Sequence, residues 1–367
     1  MKKKICFLSL SSYPTLVNKN LGIAGGAEVE QVQLALQLSS QGFDVCFITY
    51  SSGQKQREFV NGIEILKTYD LEQASKISVF HKFRSIWSSL KKANADIYFH
   101  EAGSSGVLPF FCFVYKKKYV YRIASDAVVL RKSLFGKHNF SEHFATAIEV
   151  KKADAVIAQS SFQKRILREK FGVKSVIIKN GLTIPEAIYK KTNPPVVLWV
   201  GSLSKIKNPE IFINLAKSIP WARFEMIGGR GAPPYLYQEI ESISRGLPNF
   251  IFCGFVPFEQ TNAYFSRASV LVNTSSMEGF PNTFIQAWAN CVPVVSLNVD
   301  PDKVIQMEKL GFHSQTFGQL ICDVETVLYN ENVAKTLGEN GRAYVKRNHD
   351  VKNIVKEYCK LFKRILS

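Results

Sequence analysis

Residues Ser269 to Trp288, SVLVNTSSMEGFPNTFIQAW, read as a strand, a bent loop and a helix in immediate succession. Val270, Leu271 and Val272 form a short apolar run of the kind that fills a buried strand. Gly279 and Pro281 then bend the chain, and the helical pattern enters near Asn282 or Thr283, both good N-cap types. A helix start presents unpaired N–H groups and the positive end of a dipole, which suits a phosphate. Glu278 stands just before that start. Gln286, eight positions on, lies about one turn inside the helix and can face the same side. Spacing alone fits equally well a surface loop with a solvated glutamate.

The same alternation extends outward in both directions. Towards the N-terminus lie strand-like runs at Val196 to Val200, Arg223 to Ile227 and Phe250 to Phe255, and beyond the stretch one at Val294 to Leu297, with amphipathic segments of helical length between them. A second series occupies the first half. Ile5 to Leu10 is followed by a polar loop ending in Gly25 and Gly26, a helical pattern over Ala27 to Gln41, and Gly42 as a stop. Strands follow at Asp44 to Thr49, Asp96 to Phe99, Lys118 to Ala124, Ala155 to Ala158 and Ser175 to Ile178, with a hairpin at Asn61-Gly62. Strands alternating with helices predict parallel sheets. Thr183 to Pro195, with Pro185, Pro194 and Pro195 and little periodicity, is the linker candidate. The expected fold is α/β, with two Rossmann-like domains facing one cleft: an N-terminal domain over 1–185 and a C-terminal domain over 186–350. A final helix over 351–367 packs back on the first. Ligands of such sheets bind at the carboxyl ends of the strands.

Composition narrows the class. The chain has 367 residues, 46% hydrophobic and 21% charged, enough for two ordinary cores and unlike a disordered or collagen-like chain. Seven cysteines without a C-x-x-C pair fit reduced thiols in a cytoplasm. No apolar run approaches the roughly 20 residues of a membrane span. The opening MKKKICFLSLSS reads as a first strand, since its apolar part is short and lacks a small-residue cleavage site. The net charge is +17, with 27 Lys and Arg against 14 Asp and Glu in residues 1–185, and 20 against 16 in residues 186–367. A basic first half fits nucleic acid, an anionic membrane or an acidic substrate. Neither zinc-finger spacing nor an RRM-type aromatic motif supports nucleic acid.

The stretch around Glu278 resembles the E-x7-E segment of the retaining glycosyltransferases of family 4, which have the GT-B fold and commonly show an EGFPN opening there. Gly25-Gly26-Ala27-Glu28 resembles that family's GGAE loop, and Val200-Gly201-Ser202-Leu203-Ser204-Lys205-Ile206-Lys207-Asn208 resembles its V-G-R-L-x-x-x-K-G segment. Asn180-Gly181 matches the turn before the interdomain linker, and Ala153-Asp154-Ala155-Val156-Ile157-Ala158 the strand before that. The resemblance implies transfer of a sugar from a UDP- or GDP-linked donor, with retained configuration, to a glycan or lipid-linked acceptor, without a cofactor or required metal. It implies that Glu278 contacts hydroxyls of the transferred sugar, that Gln286 stands in for the ribose-contacting second Glu, and that Lys207 balances charge on the leaving diphosphate. It places the backbone of Gly279, Phe280, Pro281, Asn282 and Thr283 at the phosphates, Gly25 and Gly26 at the donor, and Phe255 and Val256 at the base.

Three positions depart from the pattern. Ser202 stands where most members carry a phosphate-binding Arg; Lys205 is near enough to compensate, although a point charge is not a planar fork. Gln286 replaces Glu. In Arg122-Ile123-Ala124-Ser125-Asp126, Ser125 holds the place of a histidine and Asp126 remains as the catalytic-face carboxylate; His100, at the end of the preceding strand, is a second acceptor-side candidate with Ser125. These departures motivate an alternative, a catalytically degenerate GT-B-like binding subunit. Two basic segments of the first half, Ser75 to Ala93 and Leu108 to Lys118, offer contacts to an anionic membrane. The expected enzyme is cytoplasmic and peripheral at the inner face of the plasma membrane, in polysaccharide, lipopolysaccharide or glycolipid synthesis.

Overall fold

The computed structural model describes residues 2–17, 25–101, 106–130, 140–186, 192–229 and 235–367. The expected linker is therefore described only in part, and 18–24 of the glycine loop lie outside the described residues.

One compact unit gathers Gly26–Gly181 with the first strand and Val351–Ser367; the other is built from Leu182–Asp350. The first unit's sheet contains β1 (Lys4–Leu8), β2 (Asp44–Ser51), β3 (Arg57–Val60), β4 (Ile63–Asp70), β5 (Ile97–Glu101), β6 (Lys118–Arg122), β7 (Ala155–Ala158) and β8 (Val176–Ile177). Their order is β3-β4-β2-β1-β5-β6-β7-β8, and only β3 runs antiparallel, at the edge. Its turn is the foreseen hairpin: Asn61 and Gly62 both have positive φ, 51° and 77°, as a two-residue hairpin of right-handed twist requires. Along β1 the side chains alternate between two cores. Ile5 and Phe7 face one, where Phe7 stacks on Phe47 at 4.9 Å; Cys6 and Leu8 face the other. Burial on both faces is what a parallel sheet covered by crossover helices demands.

The helix Val351–Leu366 belongs to this unit although the chain has just left the other. Val351, Ile354, Val355, Tyr358, Leu361 and Phe362 form one apolar stripe on the core that holds Phe7 and Leu38. Gly181 lies where the chain leaves, so close to its return that an added Cβ would meet Val351 and Ile354 at 3.3 Å.

The second unit holds β9 (Val196–Val200), β10 (Arg223–Ile227), β11 (Phe250–Gly254), β12 (Val270–Asn273), β13 (Val294–Ser296) and β14 (Gly311–His313). The order is β11-β10-β9-β12-β13-β14, all parallel. The short β14 has no counterpart in the sequence expectation. The helix Asn282–Ala289 is buried from Phe284 onward, and its Trp288 indole donates to the carbonyl of Leu310 at 3.0 Å.

The units divide the charge completely. Residues 1–181 and 351–367 hold 32 Lys and Arg against 15 Asp and Glu, a net of +17; residues 182–350 hold 15 against 15. Among the described residues, no helix is long and apolar enough to cross a membrane.

Candidate active site

In the second unit, β9 and β12 are neighbours, so the loops after them run side by side at the carboxyl edge of the sheet. After β9 the chain passes Gly201 to Ser204, makes one 3-10 turn at Lys205–Lys207, and enters the helix Pro209–Ser218 through Asn208, whose left-handed φ of 44° an Asn tolerates better than most residues. Three hydrogen bonds join this loop to the one after β12, and a fourth ties β9 itself to it. Ser276 N–H donates to Ile206 O at 2.8 Å, Asn208 Nδ2 to Thr274 O at 3.0 Å, Thr274 Oγ1 to Lys207 O at 2.6 Å, and Trp199 Nε1 to Thr274 Oγ1 at 3.0 Å.

Lys207 and Glu278 meet on this framework. The Lys207 ammonium makes a short ion pair with Glu278 Oε1, and Ser275 Oγ donates to the same oxygen at 2.7 Å. Both side chains are partly open to solvent. The arrangement offers a cation for an anionic leaving group and an acceptor for hydroxyls, held side by side by backbone rather than by each other alone. Nothing in the sequence marks Thr274, Ser275 and Asn208 for this structural role beyond the run of small polar residues directly after a strand.

The loop beyond Glu278 turns inward. Gly279, Phe280 and Pro281 are buried, and the Phe280 ring packs 4.8 Å from His349. The N-cap is Pro281, with no side-chain cap, instead of Asn282 or Thr283. Proline's fixed φ, here −66°, with an extended ψ of 125°, already sets the entry, so Asn282 and Thr283 become the first two helical residues. Gln286 is buried and donates through Nε2 to Thr261 Oγ1 at 3.2 Å, on the helix Phe258–Arg267. The helix turns this position towards its neighbour helix. Ser202 and Lys205 are exposed, Phe255 is partly buried, and Val256 packs against the core beneath β9 and β12.

In the first unit, His100 is the next-to-last residue of β5, in register with Leu8 and Tyr121. Its Nδ1 lies 2.9 Å from Leu8 O, which makes Nδ1–H the donor and leaves Nε2 an acceptor without a hydrogen-bond partner among the described residues. Burial lowers its pKa and keeps the ring neutral.

Next to it lies a charge cluster the sequence did not disclose. Arg122, buried at the end of β6, donates to Glu30 at 2.9 Å, to Glu101 by a shorter bond, and to Asn180 Oδ1 at 2.5 Å. Burial raises the carboxyls of Glu30 and Glu101, the latter to about 8, and the guanidinium only partly offsets this. Ser125 Oγ accepts from Ala127 N at 3.2 Å, and Asp126 accepts from Gln163 Nε2 at 2.9 Å. Gly26 opens the helix Gly26–Ser40, directly after Gly25. No cluster of His, Cys, Asp or Glu that could hold a metal occurs among the described residues.

Residues 24–184 match the profile of glycosyltransferase family 4, and residues 194–328 that of glycosyl transferases group 1. The fold superposes on sucrose-phosphate synthase from Thermosynechococcus elongatus with a TM-score of 0.83 over 99% of both chains, at 18% identity. The chain is a family-4-like GT-B glycosyltransferase. This glycosyltransferase is 27% identical over 228 residues to an uncharacterized glycosyltransferase of Methanocaldococcus jannaschii, a match covering 61% of the chain and 62% of that relative. It is 20% identical to an uncharacterized glycosyltransferase of Haemophilus influenzae over 92% of the chain and 96% of the relative. An alpha-monoglucosyldiacylglycerol synthase of Acholeplasma laidlawii is 26% identical over 41% of the chain and 39% of its own length. Among solved structures, Anabaena HepE in complex with UDP and glucose aligns with a TM-score of 0.75 at 17% identity, over 99% of this chain and all of that one.

Proposed function

We propose that this glycosyltransferase moves a hexose from a UDP- or GDP-sugar, with retained anomeric configuration, to a glycan or lipid-linked acceptor in polysaccharide, lipopolysaccharide or glycolipid synthesis. The observation that carries this is the Lys207–Glu278 pair on two interlocked loops at the sheet's carboxyl edge. As the bond from the anomeric carbon to the diphosphate breaks, its electron pair stays on the phosphate oxygen. Negative charge grows there, and a cation already in place lowers the barrier without reorganising. Lys207 would serve that oxygen, with Lys205 and the backbone from Gly279 to Thr283 around the phosphates. Glu278 would accept hydrogen bonds from hydroxyls of the transferred sugar.

The UDP named for HepE supports a uridine donor, and the diacylglycerol product named for the Acholeplasma relative supports a lipid-linked acceptor. Asp126, Ser125 and His100 are the acceptor-side candidates on the first unit, and its basic character fits an anionic membrane partner. The direct test is slow hydrolysis of a panel of UDP- and GDP-sugars, read by mass spectrometry. Turnover of one donor that collapses in Glu278→Ala supports the reading; a fully active Glu278→Ala removes that residue's role.

The buried bond from Gln286 to Thr261 favours a second reading, a degenerate binding subunit that has lost its ribose contact. Absence of any thermal shift with nucleotides or sugar nucleotides would identify it. A ligand at a hundred times its Kd stabilises by about 2.7 kcal/mol.

A further inference from the structure

We infer that the face made by the helices Val79–Ala93 and Val107–Tyr115 is the surface on which the first unit seats itself on an anionic lipid bilayer. The inference deepens the reading of a lipid-linked acceptor and is independent of the donor chemistry. Phe80 is 73% exposed, Phe113 78% and Phe110 53%, and Val114 and Tyr115 are exposed beside them. Phe110, Phe113 and Val114 lie three and four positions apart, so they share one side of their helix.

The two helices present this surface jointly. Trp87 stands 5.4 Å from Phe83 on its own helix and 5.5 Å from Phe110 and 5.8 Å from Tyr115 on the other, between ring centroids. Lys91 reaches over the Tyr115 ring at 5.7 Å. The helix Phe140–Lys152, which packs against Val107–Tyr115, adds exposed Phe144 and Ile148 ahead of Lys151 and Lys152.

Charge selects the occupant. Between Lys76 and Lys118 there are seven Lys and one Arg against two acidic residues, and neither helix contains a carboxylate. Of the two acids, Asp96 is taken by Lys3 and the backbone of Lys4, and Glu101 is buried against Arg122. Lys82, Arg84, Lys91, Lys92 and Lys116 have no ion pair among the described residues. Protein interfaces are depleted in Lys, whereas aromatic side chains rimmed by Lys are what an amphipathic helix lays into a headgroup layer. The whole net charge of +17 sits on this unit, so its long-range potential has the same sign as the local rim.

The experiment is flotation of the full chain with phosphatidylcholine vesicles containing about one-third phosphatidylglycerol. Expected are association at low ionic strength, release at about 1 M salt, where the Debye length is ~3 Å, and no association with phosphatidylcholine alone. Each Lys or Arg near such a surface strengthens binding about fivefold, so K91A/K92A/K116A should weaken it about a hundredfold. F110A/F113A should weaken it at every salt concentration, because that contribution is not screened. Both variants should stay folded with at most a modest fall in melting temperature, from the lost Phe110–Trp87 and Lys91–Tyr115 contacts, and should keep donor hydrolysis, since neither touches the Lys207–Glu278 loops. Absence of flotation at low salt, equal binding to neutral vesicles, or variants that float like wild type would each overturn the inference. So would self-association abolished by F110A/F113A without flotation, which would assign the face to a second copy. Flotation with no donor turnover would leave the surface standing and remove the enzymatic reading instead.

Discussion

Replacing Lys207 with Met separates catalysis from stability more cleanly than any other change in the second unit. Methionine keeps the length and apolar stem of the side chain and removes only the charge. In the resting protein the loss is small. The Lys207 side chain is 23% and that of Glu278 15% exposed, Ser275 Oγ still holds Glu278, and the loops are locked by bonds that do not use the ammonium. A partly solvated pair of this kind contributes about 1 kcal/mol at most, or roughly 2 to 4 °C in Tm for a unit of this size. In the transition state the same ammonium faces an additional developing charge. At 4 Å and an effective dielectric constant near 20, a unit charge is worth about 4 kcal/mol, and loss of one such donor lowers kcat by roughly a hundredfold to a thousandfold. The assay is release of nucleoside diphosphate from the donor identified by hydrolysis screening, alongside a thermal melt. K207R should recover part of the rate, because its planar fork carries the charge but not the geometry. In a double-mutant cycle with Glu278→Gln, the two effects should couple by about 0.5 to 3 kcal/mol, since the groups touch. A folded Lys207→Met enzyme with kcat within about threefold of wild type would refute the assignment of the leaving group to this residue.

Other expectations concern the framework. Measured above about pH 8, where Glu101 is ionised, Arg122→Met should destabilise the first unit by about 3 to 5 kcal/mol, because the buried carboxylates then lose their partner; urea denaturation measures it, and a loss below about 1 kcal/mol would contradict the cluster. Burial holds Glu101 protonated up to about pH 8 in the folded state, against an ordinary value of 4.5. The folded state therefore binds more protons in that window, so this group's contribution to stability is full below about 4.5 and is lost as pH rises through 8. Glu101→Gln should flatten the pH profile of ΔG, whose slope from this group is at most about 1.4 kcal/mol per pH unit; an unchanged profile would place the proton elsewhere. Gly338→Ala in the helix Glu331–Asn348 should destabilise despite alanine's better helix propensity, worth about 1 kcal/mol, because the new Cβ would stand 2.3 Å from the Cys291 carbonyl oxygen. A raised melting temperature in that variant would show that the two backbones can separate.

The elements legible in sequence are those whose signal is local. Ala155–Ala158, Val196–Val200 and Arg223–Ile227 are strands at the expected boundaries, because the first two are apolar runs and the third alternates Arg223 and Glu225 with Phe224 and Met226. The Asn61-Gly62 hairpin was legible because few residues accept two consecutive positive φ angles. β14 was not: three residues, one a glycine at φ 150°, carry neither length nor alternation, and it exists because β13 offers it an edge. In the site, Glu278 and Lys207 could be named from their motifs, but their contact spans 71 positions and depends on β9 lying beside β12. Gln286 is the converse case. Helical periodicity places it correctly on its own helix, yet which neighbour receives that face is decided by Thr261, 25 positions earlier. In sequence Arg122 reads only as part of a strand end, and its role as a buried hub rests on Glu30, Glu101 and Asn180, none of them near it along the chain.

The partition of charge follows from one such non-local event. Cut in the middle of the sequence, the two halves differ by +13 and +4, a difference of degree. The last helix, with Lys352, Lys356, Lys360, Lys363 and Arg364 against Glu357, crosses back to the first unit because its apolar stripe from Val351 to Phe362 completes that unit's core. Its charge goes with it, and the difference becomes one of kind: +17 on one unit and none on the other. A neutral unit offers no net field to draw in a diphosphate. On the proposed function, recognition of an anionic donor would rest on groups at contact distance, namely Lys207, Lys205 and the amides at the start of the helix Asn282–Ala289, whose influence dies away within a turn. The basic unit is suited to the reverse task, attraction that is long in range and indifferent to detail, which a charged membrane surface rewards and a small, precisely held donor does not.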